Sequence, residues 1–281
     1  MRVYISIDME GVAGVATLDQ VGRGGHGYPR AQELMTAEAN AAIAGAFDGG
    51  ADSVVVNDSH GTMDNLIHEQ LDPRARLVFG SPKAECMAEG LSADMDAALF
   101  IGYHAPAGVR GVLAHTFSAH FTEVRINGER ASETSVNALL AAAHGVPVAM
   151  VSGDDVICGI AAELLEDVVT VPVKVAHGWS AADSLPPGAA REAIAAGARE
   201  AVRRAAGLRA LHLPTALEIE IDMPNQIAAE LAAMMPGVTR RDDRTVVAAV
   251  ADPATAIGVI TVGYELANAS LQKLAVLLNR R

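Results

Sequence analysis

Short apolar runs alternate with longer segments of helical spacing through the first two thirds of the chain. The runs are continuously apolar, which is typical of strands buried on both faces of a sheet. Helical segments between such strands allow neighbouring strands to run in the same direction. The pattern therefore predicts an α/β fold with a mainly parallel sheet flanked by helices. Predicted strands are residues 2–8, 53–57, 97–103, 119–126, 147–152 and 168–175, predicted helices are 30–48, 83–90, 133–144 and 155–165, and Asn127-Gly128 predicts a hairpin turn.

The last third of the chain has a different pattern. Residues 180–188 contain two consecutive prolines and are the best candidate for a domain boundary. Beyond them the spacing predicts helices at 189–205 and 224–234, strands at 215–222 and 244–250, and a helix from Pro253 onward. We therefore expect a catalytic α/β domain at residues 1–180 and a smaller C-terminal α+β domain at residues 189–281.

Five potential metal ligands lie where a predicted strand ends or a predicted helix begins: Asp8, Glu10, His60, His104 and Glu133. In an open α/β sheet, ligands bind in the crevice beyond the carboxyl ends of the strands, so these side chains would converge there. Two histidines and three carboxylates can hold one zinc, or two zincs if a carboxylate bridges them. The set predicts a metal-assisted hydrolase.

Taken singly, each of these residues has a more ordinary explanation. An acid after a strand is more often a turn residue than a ligand. Glu133 follows Ser132, which is suited to cap a helix, and an acid at a helix start is favoured by the helix dipole. The shared position of Asp8, His60 and His104 after apolar strands is what indicates a metal site.

The other histidines carry less information. Residues 22–28 form a glycine-rich loop that lacks the spacing of a phosphate-binding loop, and we expect it to be mobile and near the site. Such a loop would serve as a lid or contact substrate, and in the second case His26 would touch the substrate. His120 is expected to pack or to face solvent. Ordinary surface or packing roles are also expected for His68, His144 and His212.

An ordered set of short motifs resembles the bacterial D-aminopeptidases, zinc peptidases associated with dipeptide transport. The opening motif is Ser6-x-Asp8-x-Glu10-Gly11. The likeness runs along nearly the whole chain and is densest before residue 160. It continues through Asn57-Asp58-Ser59-His60, Gly102-Tyr103-His104, the loop that carries His115, Glu133 with Asn137, and Val151-Ser152-Gly153-Asp154-Asp155.

The resemblance implies an aminopeptidase that acts on short peptides such as D-Ala-D-Ala. It implies a dinuclear centre with two Zn²⁺ per subunit, bridged by Asp8. It also implies a homodecamer of two stacked five-membered rings that enclose the active sites. The residues that the family pattern assigns as zinc ligands are Asp8, Glu10, His60, His104 and Glu133, and the catalytic residue it assigns is His115.

The chemistry of such a centre agrees with the candidate residues. Zinc lowers the pKa of a bound water to about 7, and two zincs about 3.5–4 Å apart can activate that water and polarise the scissile carbonyl. A free amino terminus would ligate one zinc or pair with an acid, which explains exopeptidase action. His115 would shuttle a proton or stabilise the oxyanion, whereas direct attack by His115 is less favoured.

Charge and composition exclude several other classes. The chain has 21 basic and 34 acidic residues in 281, a net charge of −13, and no basic stripe, so we expect no nucleic-acid partner. Cys86 and Cys158 are too few for a disulfide scaffold or a cysteine zinc site. The chain opens on a strand, and no apolar stretch approaches the roughly 18 residues of a membrane span. We therefore expect a cytoplasmic protein without a membrane partner.

Two alternatives remain at this point. Asp8 after a strand faintly resembles the opening of a haloacid-dehalogenase-like magnesium phosphatase, with Asp154 and Asp155 as its later acidic pair. This match is poor because Glu10 replaces the usual second aspartate. A phosphatase would also leave His60 and His104 without a role. Nitrogen ligands such as these favour zinc over magnesium. A noncatalytic assembly protein would show a defective ligand set, whereas all five positions hold competent ligands.

Overall fold

The computed structural model describes residues 1–278. Contacts divide the chain into two compact units. The large unit comprises Met1–Ala105, Arg110–Leu113 and Asn137–Leu213. The small unit comprises Pro106–Val109, Ala114–Val136 and the chain from Pro214 onward.

The described residues contain twelve strands and seven α-helices. The strands are β1 (Arg2–Ile7), β2 (Ser53–Asp58), β3 (Ala75–Val78), β4 (Ala97–Tyr103), β5 (Glu123–Ile126), β6 (Glu129–Arg130), β7 (Val148–Asp154), β8 (Val169–Gly178), β9 (Ala181–Ser184), β10 (Leu217–Asp222), β11 (Val238–Arg240) and β12 (Thr245–Val250). The helices are α1 (Leu18–Val21), α2 (Tyr28–Gly49), α3 (Glu133–Ala143), α4 (Asp155–Leu164), α5 (Pro187–Arg204), α6 (Gln226–Ala232) and α7 (Pro253–Leu278).

The large unit is built on a seven-stranded sheet with the order β3-β2-β1-β4-β7-β8-β9. All neighbours are parallel except β8 and β9. Alternate residues of β1, such as Ile5 and Ile7, join a core with Met35 and Ile43 of α2 and Ile194 of α5. Each such side chain contributes roughly 1.5–3 kcal/mol through burial. The apolar runs of the sequence therefore form the centre of this sheet.

The small unit contains a five-stranded antiparallel sheet with the order β11-β12-β10-β5-β6, together with α6 and α7. Asn127 and Gly128 turn the chain between β5 and β6, and both have positive φ, 51° and 82°, as a tight hairpin requires. Among residues 1–278, no helix is both long and apolar enough to cross a membrane.

The predicted fold class is confirmed: a mainly parallel sheet flanked by helices, with a smaller α+β part. Two element predictions were wrong. Residues 83–90 form only a short 3₁₀ turn, Cys86–Ala88, and Cys86 has a φ of 51°, which a helix does not allow. The strand predicted at 119–126 begins only at Glu123, because a turn that bonds the Phe121 N–H to Ser118 O precedes it.

The compact units do not coincide with a single boundary near residue 180. The segment 114–136 groups with the C-terminal third because β5 pairs with β10. The stretch predicted as a linker, residues 180–188, instead contains the edge strand β9, which pairs with β8. The division into a catalytic domain at 1–180 and a C-terminal domain at 189–281 stays a prediction.

Candidate metal centre

Four of the five predicted ligands lie together in the large unit. Asp8 and Glu10 follow β1, His60 follows β2, and His104 follows β4. These three strands are adjacent and parallel, so their carboxyl ends meet at one edge of the sheet. The four side chains are buried, with between 1% and 8% of each residue exposed. Buried, convergent acids and imidazoles are the donor set that a zinc ion takes.

Asp8 lies between the two histidines. Its Oδ1 is 3.3 Å from His60 Nδ1, and its Oδ2 is 3.4 Å from His104 Nε2. Glu10 Oε2 is 2.9 Å from His60 Nδ1. One potential ligand atom each from Asp8, Glu10 and His104 lies within 4.8 Å of the other two. The two oxygens of Asp8 therefore face different histidines, which is the arrangement that a bridging carboxylate needs.

The second nitrogen of each imidazole faces a backbone carbonyl. His60 Nε2 is 2.8 Å from Val21 O, and His104 Nδ1 is 2.9 Å from Ala105 O. A neutral imidazole that donates its N–H to such a carbonyl presents a lone pair at the other nitrogen. In both residues that other nitrogen faces Asp8. The contact at Val21 also places the start of the glycine-rich loop 22–28 beside His60.

Electrostatics in this cluster favour a cation. Burial lowers the pKa of His60, but the adjacent Glu10 and Asp8 carboxylates outweigh burial and raise that pKa well above its usual value. The buried acids around His60 thus favour a positive charge at this position. A bound metal ion would supply that charge. The residues present therefore fit zinc.

Two glycines allow the ends of β1 and β4 to touch. The Gly11 N–H donates to Gly102 O at 2.7 Å. A Cβ at Gly11 would collide with the carbonyl groups of Gly102 and Tyr103, and a Cβ at Gly102 would collide with Asp8 O. Gly102 also has a φ of 70°, which favours glycine. The close approach brings the turn that carries Glu10 next to the strand end that carries His104.

A buried chain of hydroxyl groups also joins these strand ends. Ser6 Oγ lies 2.7 Å from both Ser59 Oγ and Tyr103 Oη and donates to Met87 O at 2.8 Å. Asn137 Nδ2 donates to Tyr103 Oη at 3.0 Å, and Asn137 is fully buried. Asn137 therefore lies on the buried side of α3. Through Tyr103 it stabilises the strand end that precedes His104.

The remaining two predicted residues, Glu133 and His115, lie in the small unit. Glu133 is the first residue of α3, which Ser132 caps by accepting a hydrogen bond from Ser135 N at 3.0 Å. Glu133 Oε1 accepts a hydrogen bond from Phe117 N at 2.6 Å and lies 3.7 Å from His115 Nε2. The side chain of His115 is 18% exposed. The role of Glu133 as a ligand shared with the large-unit cluster stays a prediction.

The other histidines do not join either group. His26 and His120 are exposed. His68 packs edge-on against Phe79, and His144 Nε2 lies 3.1 Å from Glu85 Oε1. A substrate contact by His26 stays a prediction.

Lys174 on β8 was missed by sequence reasoning. It is 2% exposed, and its ammonium donates to three carbonyls of the turn that follows Asp8: those of Glu10, Val12 and Val15. Burial lowers the pKa of Lys174 to about 8, against the opposing effect of nearby acids, chiefly Glu38. A lysine within the otherwise apolar run at 168–175 was the available signal.

Comparison with known proteins agrees with the geometry. Residues 1–262 match the family model described as D-aminopeptidase. A D-aminopeptidase of Bacillus subtilis (strain 168) is 37% identical over 247 residues, which cover 88% of this chain and 90% of the relative. A solved structure, described as the Zn-dependent D-aminopeptidase DppA from Bacillus subtilis, a self-compartmentalizing protease, superposes with a TM-score of 0.92 at 36% identity. The match covers 95% of this chain and 98% of the other.

These matches give no support to the phosphatase alternative or to a noncatalytic assembly protein. The structure also uses both histidines that a phosphatase would leave without a role, since each lies within 3.4 Å of Asp8. The agreement of sequence, fold and site extends over nearly the full length of the chain. The chain belongs to the D-aminopeptidase family.

Proposed function

We propose that the chain is a zinc-dependent aminopeptidase that removes the N-terminal residue of short D-amino-acid peptides such as D-Ala-D-Ala. The observation that carries this proposal is the buried cluster of Asp8, Glu10, His60 and His104, in which the two Asp8 oxygens face different histidines. Support also comes from a relative that is described as Zn-dependent and a D-aminopeptidase.

The proposed centre would be dinuclear, with two Zn²⁺ per subunit that share Asp8. The residues that would hold these ions are Asp8, Glu10, His60, His104 and Glu133. When bound, zinc supplies Lewis acidity, which lowers the pKa of a coordinated water and polarises the scissile carbonyl. The chain's own contribution is to hold the ligands in a buried setting and to keep bulk water out. Carbonyl acceptors at Val21 and Ala105 keep each imidazole in the tautomer that can ligate.

His115 is the proposed general acid–base residue. Its side chain is partly exposed, so its imidazole can exchange protons with solvent or substrate. Glu133 Oε1 lies 3.7 Å from His115 Nε2. His115 would deliver a proton to the amine that leaves when the peptide bond breaks. This role does not require a covalent intermediate.

We also propose that the protein is cytoplasmic and forms a homodecamer that encloses its active sites. The support for assembly is the description of the structural relative as self-compartmentalizing. Enclosure would limit access to short peptides, in keeping with the proposed substrate class.

The test is amine release by zinc-reconstituted protein from D-Ala-D-Ala and L-Ala-L-Ala, with chelator-stripped protein as the control. We expect zinc-dependent cleavage confined to the D-peptide. Cleavage of the L-peptide alone would contradict the proposed specificity and keep the peptidase chemistry. Equal activity of the stripped protein would contradict the zinc mechanism.

A further inference from the structure

Strand β8 buries a charged side chain and exposes its apolar neighbour. Lys174 is 2% exposed, whereas Val175 is 47% exposed. The pairing of β8 with β7 is irregular between Gly153 and Asp154, and Asp154 is the partner of Lys174. Such an irregularity changes the direction of a side chain and is common next to active sites. Because a buried ammonium is costly unless it is fully hydrogen-bonded, Lys174 requires a specific explanation.

Every donor of the Lys174 ammonium has an acceptor in one short turn. The ammonium carries three N–H groups. They donate to Glu10 O, to Val12 O at 2.9 Å and to Val15 O at 2.6 Å. No neutral side chain of similar length offers three donors from one atom. Lys174 thus holds residues 10–15 by their backbone, regardless of which side chains the turn carries.

This turn is held from two other directions as well. The Gly11 N–H donates to Gly102 O at 2.7 Å, and the Ala13 N–H donates to Glu38 Oε1 at 2.9 Å. Of these three anchors, only Lys174 binds the carbonyl of Glu10 itself. Lys174 and Gly102 therefore bind the carbonyl and the N–H of one peptide unit, Glu10–Gly11, next to the Glu10 side chain that lies 2.9 Å from His60.

We propose that Lys174 is a positioning residue of the metal centre: it fixes the turn that carries Glu10 and thereby sets the affinity of the site for zinc. The inference rests on the proposed function, since it assumes that Glu10 is a zinc ligand. Lys174 acts through the backbone of Glu10 and not on substrate. Partners that orient metal ligands typically change metal affinity about 10–100-fold when removed.

The test is an equilibrium zinc titration of metal-stripped protein against a chromogenic chelator, with Tm measured in parallel. Lys174→Met keeps the length of the side chain and removes all three donors. We expect its Kd for zinc to rise about 10–100-fold. Lys174→Arg keeps the charge but replaces the tetrahedral ammonium by a planar guanidinium group. We therefore expect a smaller rise in the Kd for zinc, of roughly 3–10-fold.

Two control variants separate positioning from general stability. Lys273→Met makes the same substitution at an exposed lysine of α7 and should leave zinc affinity unchanged. Ile194→Val, in the core of the large unit, should lower Tm without changing the Kd for zinc. A purely structural role for Lys174 would make its variants behave like Ile194→Val.

The outcomes are distinct. If wild-type protein binds zinc and both Lys174 variants bind it equally well, the inference is overturned and the proposed function stands. If wild-type protein binds no zinc, the inference about Lys174 and the proposed function are both overturned. Should Lys174→Met fail to fold, Lys174→Arg decides the question, because it retains the buried charge.

Discussion

Both units of the molecule have a pair of acidic residues two apart in the sequence, after β1 in the large unit and in β10 in the small unit, but the groups that face these acids differ. In the large unit Asp8 and Glu10 face the imidazoles of His60 and His104. In the small unit, acids of β10 face guanidinium groups. Arg125 binds both oxygens of Asp222 at 2.9 Å, and its Nε lies 3.2 Å from Glu220.

The difference separates a candidate metal centre from a structural ion-pair network. The hydrogen bonds that Arg125 donates to Asp222, together with the charge of Asp222, raise the pKa of Arg125, so this cation keeps its proton. An imidazole can release its proton and accept a metal ion in the same place. Acids that face imidazoles can therefore bind zinc, whereas acids that face arginines are already neutralised.

The largest expected effect comes from removing an acid that faces imidazoles, compared with removing an acid that faces an arginine. Asp8→Ala should lose zinc and lower hydrolysis about 10³-fold or more, because the metal supplies several kcal/mol of transition-state stabilisation. Asp222→Ala should retain zinc and activity but lower the free energy of unfolding by about 1–3 kcal/mol, since Arg125 loses its bidentate partner. Zinc content, turnover and urea unfolding measure these effects.

Loss of zinc from Asp222→Ala as readily as from Asp8→Ala would contradict the distinction between a metal centre and an ion-pair network. Full activity of Asp8→Ala without bound metal would likewise exclude Asp8 as a ligand. Both variants replace an aspartate by alanine, so a difference between them must come from the surroundings of the aspartate.

A smaller effect is expected at His115, which faces Glu133 in the small unit. His115→Ala should keep its zinc and lose turnover by about 10²-fold or more, the usual effect of a general acid–base group. The matched control is His120→Ala, which removes an exposed histidine of the same unit. Measurement of kcat with zinc content decides the outcome; unchanged turnover would remove His115 from the mechanism.

The sequence predicted the location of the large-unit cluster because buried parallel strands have an unmistakable apolar pattern. Asp8, His60 and His104 each follow such a run, and parallel strands end at the same edge. The acids of β10 have the same spacing as Asp8 and Glu10 but lie within an antiparallel strand, where arginines of neighbouring segments reach them. The two pairs of acids therefore differ in the type of sheet that carries them and in the groups that face them, not in their spacing.

Features that depend on pairing between distant segments were not predictable in the same way. Lys174 is buried where the pairing of β8 with β7 is irregular, and single-strand periodicity contains no information on pairing. The grouping of residues 114–136 with the C-terminal third depends on the pairing of β5 with β10. Residues 83–90 have a helical composition, yet their backbone is set by contacts such as that of Ser6 Oγ with Met87 O.

Glu38 represents a third way of neutralising an acid. It is 3% exposed, and its Oε2 has no hydrogen-bond partner within residues 1–278. Burial raises its pKa to about 7, although the bond from Ala13 N and the charge of Lys174 act in the opposite direction. In the unfolded chain the pKa of a glutamate is about 4.3. Near pH 6 the carboxyl group of Glu38 is therefore mostly protonated in the folded chain and carries no charge.

This difference in pKa makes stability depend on pH in a defined direction. Between about pH 4.3 and 7 the folded chain keeps a proton that the unfolded chain has released, so stability falls as pH rises. We expect the free energy of unfolding of wild-type protein to fall about 2–3 kcal/mol more between pH 5 and 8 than that of Glu38→Gln. Glutamine retains the acceptor for Ala13 N and cannot titrate. Urea unfolding of both proteins across this pH range tests the expectation. If the free energy of unfolding of wild-type protein and of Glu38→Gln changed equally with pH, Glu38 would already be ionised at pH 5 and the prediction would be wrong.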